Sequence, residues 1–130
     1  MKVFVYYNMH RKKWSIKALE GVNKGRVVAH SNYVVVSNPI GQVSIKSRES
    51  VLLTGRKNVH AGIVGELQSI GLPLEVKGLM GDIKSITYDP YQWQSFVYKD
   101  TPERSYTKGA DRAFMINKHV YVYFEERGAA

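Results

Sequence analysis

Short alternating segments separated by turn residues run through almost the whole chain, and this rhythm excludes most of the folds open to it. Val3, Val5 and Tyr7 share one side of Lys2–Tyr7, with Phe4 and Tyr6 on the other, and Trp14, Ile16 and Ala18 share a side of Trp14–Leu19. Side chains alternate across a strand, so each segment reads as a strand with one face inward. The same reading predicts strands over Arg26–His30, Tyr33–Val36, Ile63–Leu67, Leu74–Lys77, Ile83–Tyr88, Ser95–Tyr98, Ala113–Ile116 and His119–Glu125. In the last of these, Val120, Val122 and Phe124 face in, while His119, Tyr121, Tyr123 and Glu125 face out. Asn38-Pro39 is expected to stop the Tyr33–Val36 strand, because proline cannot donate to a ladder. Asn117-Lys118 fits a two-residue hairpin.

One segment reads as a helix. Ser47–Thr54 opens on an N-cap serine and stops at Gly55, the residue type that ends helices. Composition agrees with this balance. Val, Ile, Tyr, Phe and Trp contribute 39 residues against 14 for Leu and Ala together, and branched and aromatic side chains favour strands. The expected fold is therefore all-β or β-rich α+β, a small partly closed barrel or sandwich of short antiparallel strands with one short helix. At 130 residues the chain is one domain, residues 1–130, with enough length to bury a core unaided.

Cysteine is absent, which removes disulfides, thiolate catalysis and zinc sites built on sulfur. No run approaches the ~18 apolar residues of a membrane span, and no secretory segment is expected. Charge is more informative. Residues 1–60 carry 11 basic and 2 acidic side chains, net +9, whereas residues 61–130 carry 8 and 9, net −1. One face of the domain should then be strongly positive and attract phosphate esters, nucleotides, nucleic acid or an acidic protein surface. The plainer reading is that the charge serves solubility.

Enzyme motifs are missing: no phosphate-binding glycine loop, no nucleophile elbow and no paired metal-binding histidines occur. His10, His30, His60 and His119 are each followed two places on by Lys12, Asn32, Gly62 and Tyr121, so the Ser or Thr that a two-histidine phosphoesterase needs is lacking. No catalytic residue, cofactor or metal is assigned.

Two clusters remain as candidates. In Arg56-Lys57-Asn58-Val59-His60, two cations, an amide and an imidazole can grip a phosphate and read a sugar or base edge. Alternatively, Arg56 and Lys57 only stabilise the helix C-terminus that precedes them. Gly62 and Gly65 within the next strand suggest bulges or a close backbone approach by a ligand. In Thr87–Phe96, four aromatic residues surround Pro90, and Tyr91 and Trp93 are the pair expected to be exposed for stacking, although alternation should bury half of such rings. The basic tip His10–Lys13 reads as a phosphate-contacting finger or as a solvated turn.

These stretches also carry a resemblance. Met1–Asn8 with His10, Trp14-Ser15, Lys17–Gly21, Gly25-Arg26-Val27 and Ala29-His30, followed by Arg56–Gly62, Thr87-Tyr88, Pro90-Tyr91 and Ser95-Phe96-Val97, resemble a family of small uncharacterised tailed-bacteriophage proteins over most of residues 1–100. The resemblance implies a phage origin and a host-cytoplasm setting. By analogy with small phage accessory proteins, it also suggests counter-defence.

Taken together, the sequence favours a binder over an enzyme. The first reading is sequestration of an anionic nucleotide, such as a cyclic or ADP-ribose-type immune signal. Arg56 and Lys57 would meet phosphate, Asn58 and His60 the sugar or base, and Tyr91 or Trp93 would stack. A homo-oligomer would enclose such a ligand more fully than one small domain. Two alternatives stand beside it: a nucleic-acid-binding module that uses the basic half, and a phosphodiester-cleaving enzyme with His60 as acid or base. A membrane partner is not expected.

Overall fold

The computed structural model describes residues 1–71 and 79–126, and the strand expected at Leu74–Lys77 lies outside them. The elements are β1 (Lys2–Asn8), β2 (Lys13–Ala18), β3 (Val27–Ser31), β4 (Tyr33–Val43), α1 (Ile45–Thr54), β5 (Ala61–Ile70), β6 (Gly81–Thr87), β7 (Val97–Tyr98), β8 (Arg112–Ile116) and β9 (His119–Glu125). All nine strands join one sheet in the order β3-β2-β1-β5-β4-β8-β9-β6-β7, and every pairing is antiparallel. The first and last strands do not pair, so the sheet is open. The protein is β-rich, as its alternation and composition imply.

This order has a simple internal division. Strands β3-β2-β1-β5-β4 all come from residues 1–71 and form an N-terminal wing, while β8-β9-β6-β7 come from residues 79–126 and form a C-terminal wing. The only seam within the sheet is β4 against β8, where Tyr33 to Ser37 pair with Ile116 to Arg112. The wings curl toward each other over a single core. Val3, Val5, Trp14, Ile16 and Ile63 from one wing are buried in the same cluster as Ile86, Phe96, Tyr106, Val120 and Val122 from the other. Cross-wing hydrogen bonds fix the closure. The Trp14 indole N–H donates to the Asn117 carbonyl, and the Tyr106 hydroxyl donates to the Pro39 carbonyl at 2.7 Å.

Several local expectations need correction. β4 does not stop at Asn38-Pro39 but continues to Val43. Its register shifts between Ser37 and Ile40, with Asn38 at φ 49°, and Pro39 sits fully buried in that irregularity, where no ladder donor is needed. The helix begins at Ile45 rather than Ser47. Ser44 is its N-cap, accepting from the Ser47 N–H at 3.3 Å, and the end at Gly55 (φ 69°) is as expected. The strand expected over Ser95–Tyr98 is reduced to Val97–Tyr98 because Ser95 and Phe96 belong to the preceding turn. Tyr123 does not face solvent. With Val35 and Phe114 it forms a second buried cluster on the outer face of β4, β8 and β9, against which Leu79 packs. The Tyr123 hydroxyl donates to the Met80 carbonyl at 3.0 Å.

The Asn117-Lys118 hairpin forms as expected, with Asn117 at φ 53° and Ile116 opposite His119.

Candidate functional site

The wings differ in charge as well as in origin. Residues 1–71 hold 11 basic and 3 acidic side chains, and residues 79–126 hold 6 and 7. A site for an anion therefore belongs on the N-terminal wing. On that wing β1 turns Val3 and Val5 inward, so Phe4 and Tyr6 lie on the outer face, half-buried, with ring centroids 5.9 Å apart. Lys17 stands opposite Phe4 on β2, and Val64 stands opposite it on β5.

Beside Phe4 the outer face opens into a cavity of about 230 Å³, lined by Phe4, Lys17, Leu19, Gln42, Ser44, Val59, His60 and Val64. The Phe4 ring lies against Gly62 of β5. A Cβ there would lie 2.7 Å from the Phe4 ring and 2.5 Å from the Val5 carbonyl oxygen, so only glycine lets the ring rest against β5. Gly65 answers a similar demand, since its Cβ would meet the Ser37 carbonyl oxygen at 2.7 Å. Both glycines permit close approach by the protein's own strands.

His60 joins the cavity to Tyr88 of the other wing. Its Nδ1 lies 3.1 Å from the Asn58 carbonyl and its Nε2 lies 2.8 Å from the Tyr88 hydroxyl. A carbonyl can only accept, so Nδ1 carries the proton, and in neutral imidazole Nε2 accepts from Tyr88. Tyr88 packs edge-on to His60 and against Phe96. Burial pushes the Tyr88 phenol above the ordinary tyrosine value, and the adjacent Arg48 guanidinium opposes the rise. The hydroxyl therefore stays protonated at neutral pH and serves as a hydrogen-bonding group rather than a phenolate. Arg48, on α1, also donates through Nε to the Trp93 carbonyl at 3.0 Å. This chain occupies the Nε2 lone pair, so His60 acts as a proton acceptor for a ligand only after Tyr88 is displaced.

Of the six residues picked from sequence, Asn58, His60 and Trp93 are brought together along this chain of bonds. Trp93 is half-buried and enters through its backbone; its N–H donates to the Asp89 carbonyl at 2.9 Å. Tyr91 is 68% exposed, on a turn held by the Asp89 carboxylate, which accepts from the Tyr91 N–H at 2.9 Å. Tyr91 and Trp93 lie in a turn, so strand parity does not pair them. Arg56 and Lys57 are exposed on the connection that ends in Val59 and His60, and the Arg56 N–H donates to Thr54 Oγ1.

Sequence reasoning passed over Phe4, Lys17, Gln42 and Ser44 as site residues. The parity of β1 and β2 was the available signal for the first two. Arg48 and Tyr88 had none.

A family model described as Mycobacterium phage L5 gene 82 protein matches residues 1–123. The chain belongs to this phage family. The gene 82 protein of Mycobacterium phage L5 is 40% identical over 126 residues, covering 92% of this chain and 94% of the relative. The gene 82 family match thus extends past residue 100 and takes in β8 and most of β9. No solved structure matches.

A second cavity, about 410 Å³, opens on the C-terminal wing among Asp82, Lys84, Tyr98, Asp100, Thr101, Arg104 and Phe124. Two carboxylates line it, and Lys84 already lies 4.0 Å from Asp100, so it suits an anion poorly despite its size.

Proposed function

We propose that this phage protein binds an anionic nucleotide on the outer face of its N-terminal wing and so withholds it from host defence in the host cytoplasm. The observation that carries this reading is the cavity beside Phe4, which gathers a ring, an ammonium group, an amide and an imidazole on the more basic wing. In the proposed complex a base lies against Phe4, Lys17 meets phosphate, Gln42 hydrogen-bonds base or sugar edges, and His60 joins it by exchanging its Tyr88 bond for one to the ligand. Arg56 and Lys57 extend the positive field along the connection leading to His60. The volume is below the roughly 300 Å³ at which sites for drug-sized ligands begin. One nucleoside portion would therefore be held inside, and the rest would lie on the surface or against a second copy of the chain.

A second reading, single-stranded nucleic acid, is favoured by one specific feature: Tyr6 continues the aromatic row beyond the cavity, and Lys13 lies on the same face of β2 as Lys17. Calorimetry against cyclic nucleotides, ADP-ribose derivatives and a short oligonucleotide separates the two. Nucleotide heat with shallow salt dependence supports the first reading. Oligonucleotide binding that weakens by orders of magnitude between about 50 and 200 mM salt supports the second. No heat from any of them overturns both. A hydrolysed product, found by mass spectrometry after long incubation, would replace binding with catalysis.

With Arg56→Gln and Lys57→Gln together, we expect nucleotide affinity to fall by up to about tenfold while melting changes by no more than about 0.5 kcal/mol, since both side chains are exposed.

A further inference from the structure

The two ends of the sheet are finished differently. At the β7 end, the chain folds back over its own edge. Val97 bridges to Ser105, the Tyr98 N–H donates to the Arg104 carbonyl at 3.0 Å, and the Tyr106 N–H donates to the Phe96 carbonyl at 2.8 Å. At the other end, β3 pairs with β2 on one side, and among the described residues no strand pairs with it on the other.

An open edge is a template for a further strand, and proteins usually blunt it with lysine, proline or a very short strand. Val27-Val28-Ala29-His30-Ser31 contains no lysine or proline and is five residues long, and its one irregularity is a register shift against β2 that leaves Val28 without a partner there. Val27 and Val28 are 41% and 40% exposed. The charge around this edge has one sign. Exposed Lys24 and Arg26 lead into it, Lys13 and Lys17 lie on the neighbouring strand, and the sequence has no carboxylate between Glu20 and Glu49.

The geometry points to the β3 edge as a docking site for an extended acidic segment of a partner protein, which adds as a tenth strand. Backbone groups of the partner pair with those of Val27–Ser31, alternate apolar side chains cover Val27 and Val28, and carboxylates meet Lys24 and Arg26. A second copy of this chain fits the same edge less well than an acidic strand, because its own β3 and flanking residues have no carboxylate to offer Lys24 and Arg26. Lys17, paired with Val27, also lines the cavity beside Phe4, but the docking contacts run through the β3 backbone, Lys24 and Arg26, so a failure of nucleotide binding leaves this proposal standing.

The test uses the full chain and a fluorescent peptide of about nine residues alternating Glu and Val. Three comparisons accompany it: the same peptide with Lys for Glu, the Glu peptide with alternate backbone nitrogens methylated, and a single-stranded oligothymidine. We expect the Glu peptide to bind and to slow hydrogen exchange of β3 amides but not of β6 amides. We expect the Lys and N-methylated peptides to bind at least tenfold more weakly, and Lys24→Glu with Arg26→Glu to weaken the Glu peptide at least tenfold. Equal binding by the N-methylated peptide would overturn strand addition, and that comparison decides even if the double variant fails to fold. Slowing of the same β3 amides by oligothymidine in place of the peptide would assign the edge to nucleic acid instead.

Discussion

Phe4 and Phe114 occupy equivalent places, each pointing outward from a strand whose other face lines the core, yet their surroundings are opposite. Phe114 is 4% exposed, packed with Val35 and Tyr123 beneath Leu79, whereas Phe4 and Tyr6 remain half-buried beside an open cavity. The C-terminal wing covers its outer aromatics with its own chain, and the N-terminal wing leaves its pair accessible among positive charges. An outward ring is thus structural in one wing and available in the other, and burial rather than residue type separates the two roles.

The comparison can be broken first at Phe114. Phe114→Ala should cost about 3–5 kcal/mol in urea unfolding, as a buried aromatic truncation does, and leave ligand affinity per folded molecule unchanged. A cost below about 1 kcal/mol would show that the outer cluster is not a second core.

The clasp between the wings can be tested through pH. Burial pushes the Tyr106 phenol up to about 12, and its hydroxyl donates to the Pro39 carbonyl. A tyrosine raised on folding favours the protonated state, so its contribution is complete below about pH 10 and is lost as pH rises toward 12. That loss amounts to about 2–3 kcal/mol. Tyr106→Phe should be less stable at pH 8 and should lose less stability than the natural chain between pH 8 and 11. Parallel losses in both proteins would remove Tyr106 from the account.

Of these three aromatic residues, Phe4 is expected to matter least for stability. Phe4→Ala should cost about 1 kcal/mol of folding free energy but lower nucleotide affinity about tenfold or more, because a stacked base is worth roughly 1–3 kcal/mol. A large stability loss with unchanged affinity would place Phe4 in the same class as Phe114 and erase the contrast.

Much of the fold was legible because strand alternation is local. Lys2–Tyr7 and His119–Glu125 announced themselves through parity, and Asn117-Lys118 through turn chemistry. Proline misled at position 39, where the irregular register of β4 provides a place that needs no donor. Tyr123 misled because alternation tells which face a residue takes but not whether something covers that face. The site was less legible. His60 and Asn58 stood out as a polar cluster, but Tyr88 lies 28 positions from His60 in sequence and meets it, and Arg48 of α1, only when the wings close. The cavity beside Phe4 was hidden for a different reason, since Gln42, Ser44 and His60 are brought to Phe4 by long-range β4–β5 and β1–β5 pairing within one wing.

Because each wing comes from one unbroken stretch of chain, the sheet also has a natural order of assembly during synthesis. All five strands of the N-terminal wing have been made once Gly71 is added, whereas β4 must wait for β8, some eighty residues downstream of its partner positions, as in Val35 with Phe114. At roughly 5–20 residues per second, that wait lasts several seconds, and pairing over such separations is the slow kind. Throughout it Val3, Val5, Trp14 and Ile16 have no opposing wing to cover them. A nascent half-sheet in that condition is prone to aggregate, and the net +8 of residues 1–71 (11 basic, 3 acidic) keeps such half-made chains apart by mutual repulsion. The charge assigned to ligand attraction in the proposed function thus has an earlier use, in protecting the unfinished protein.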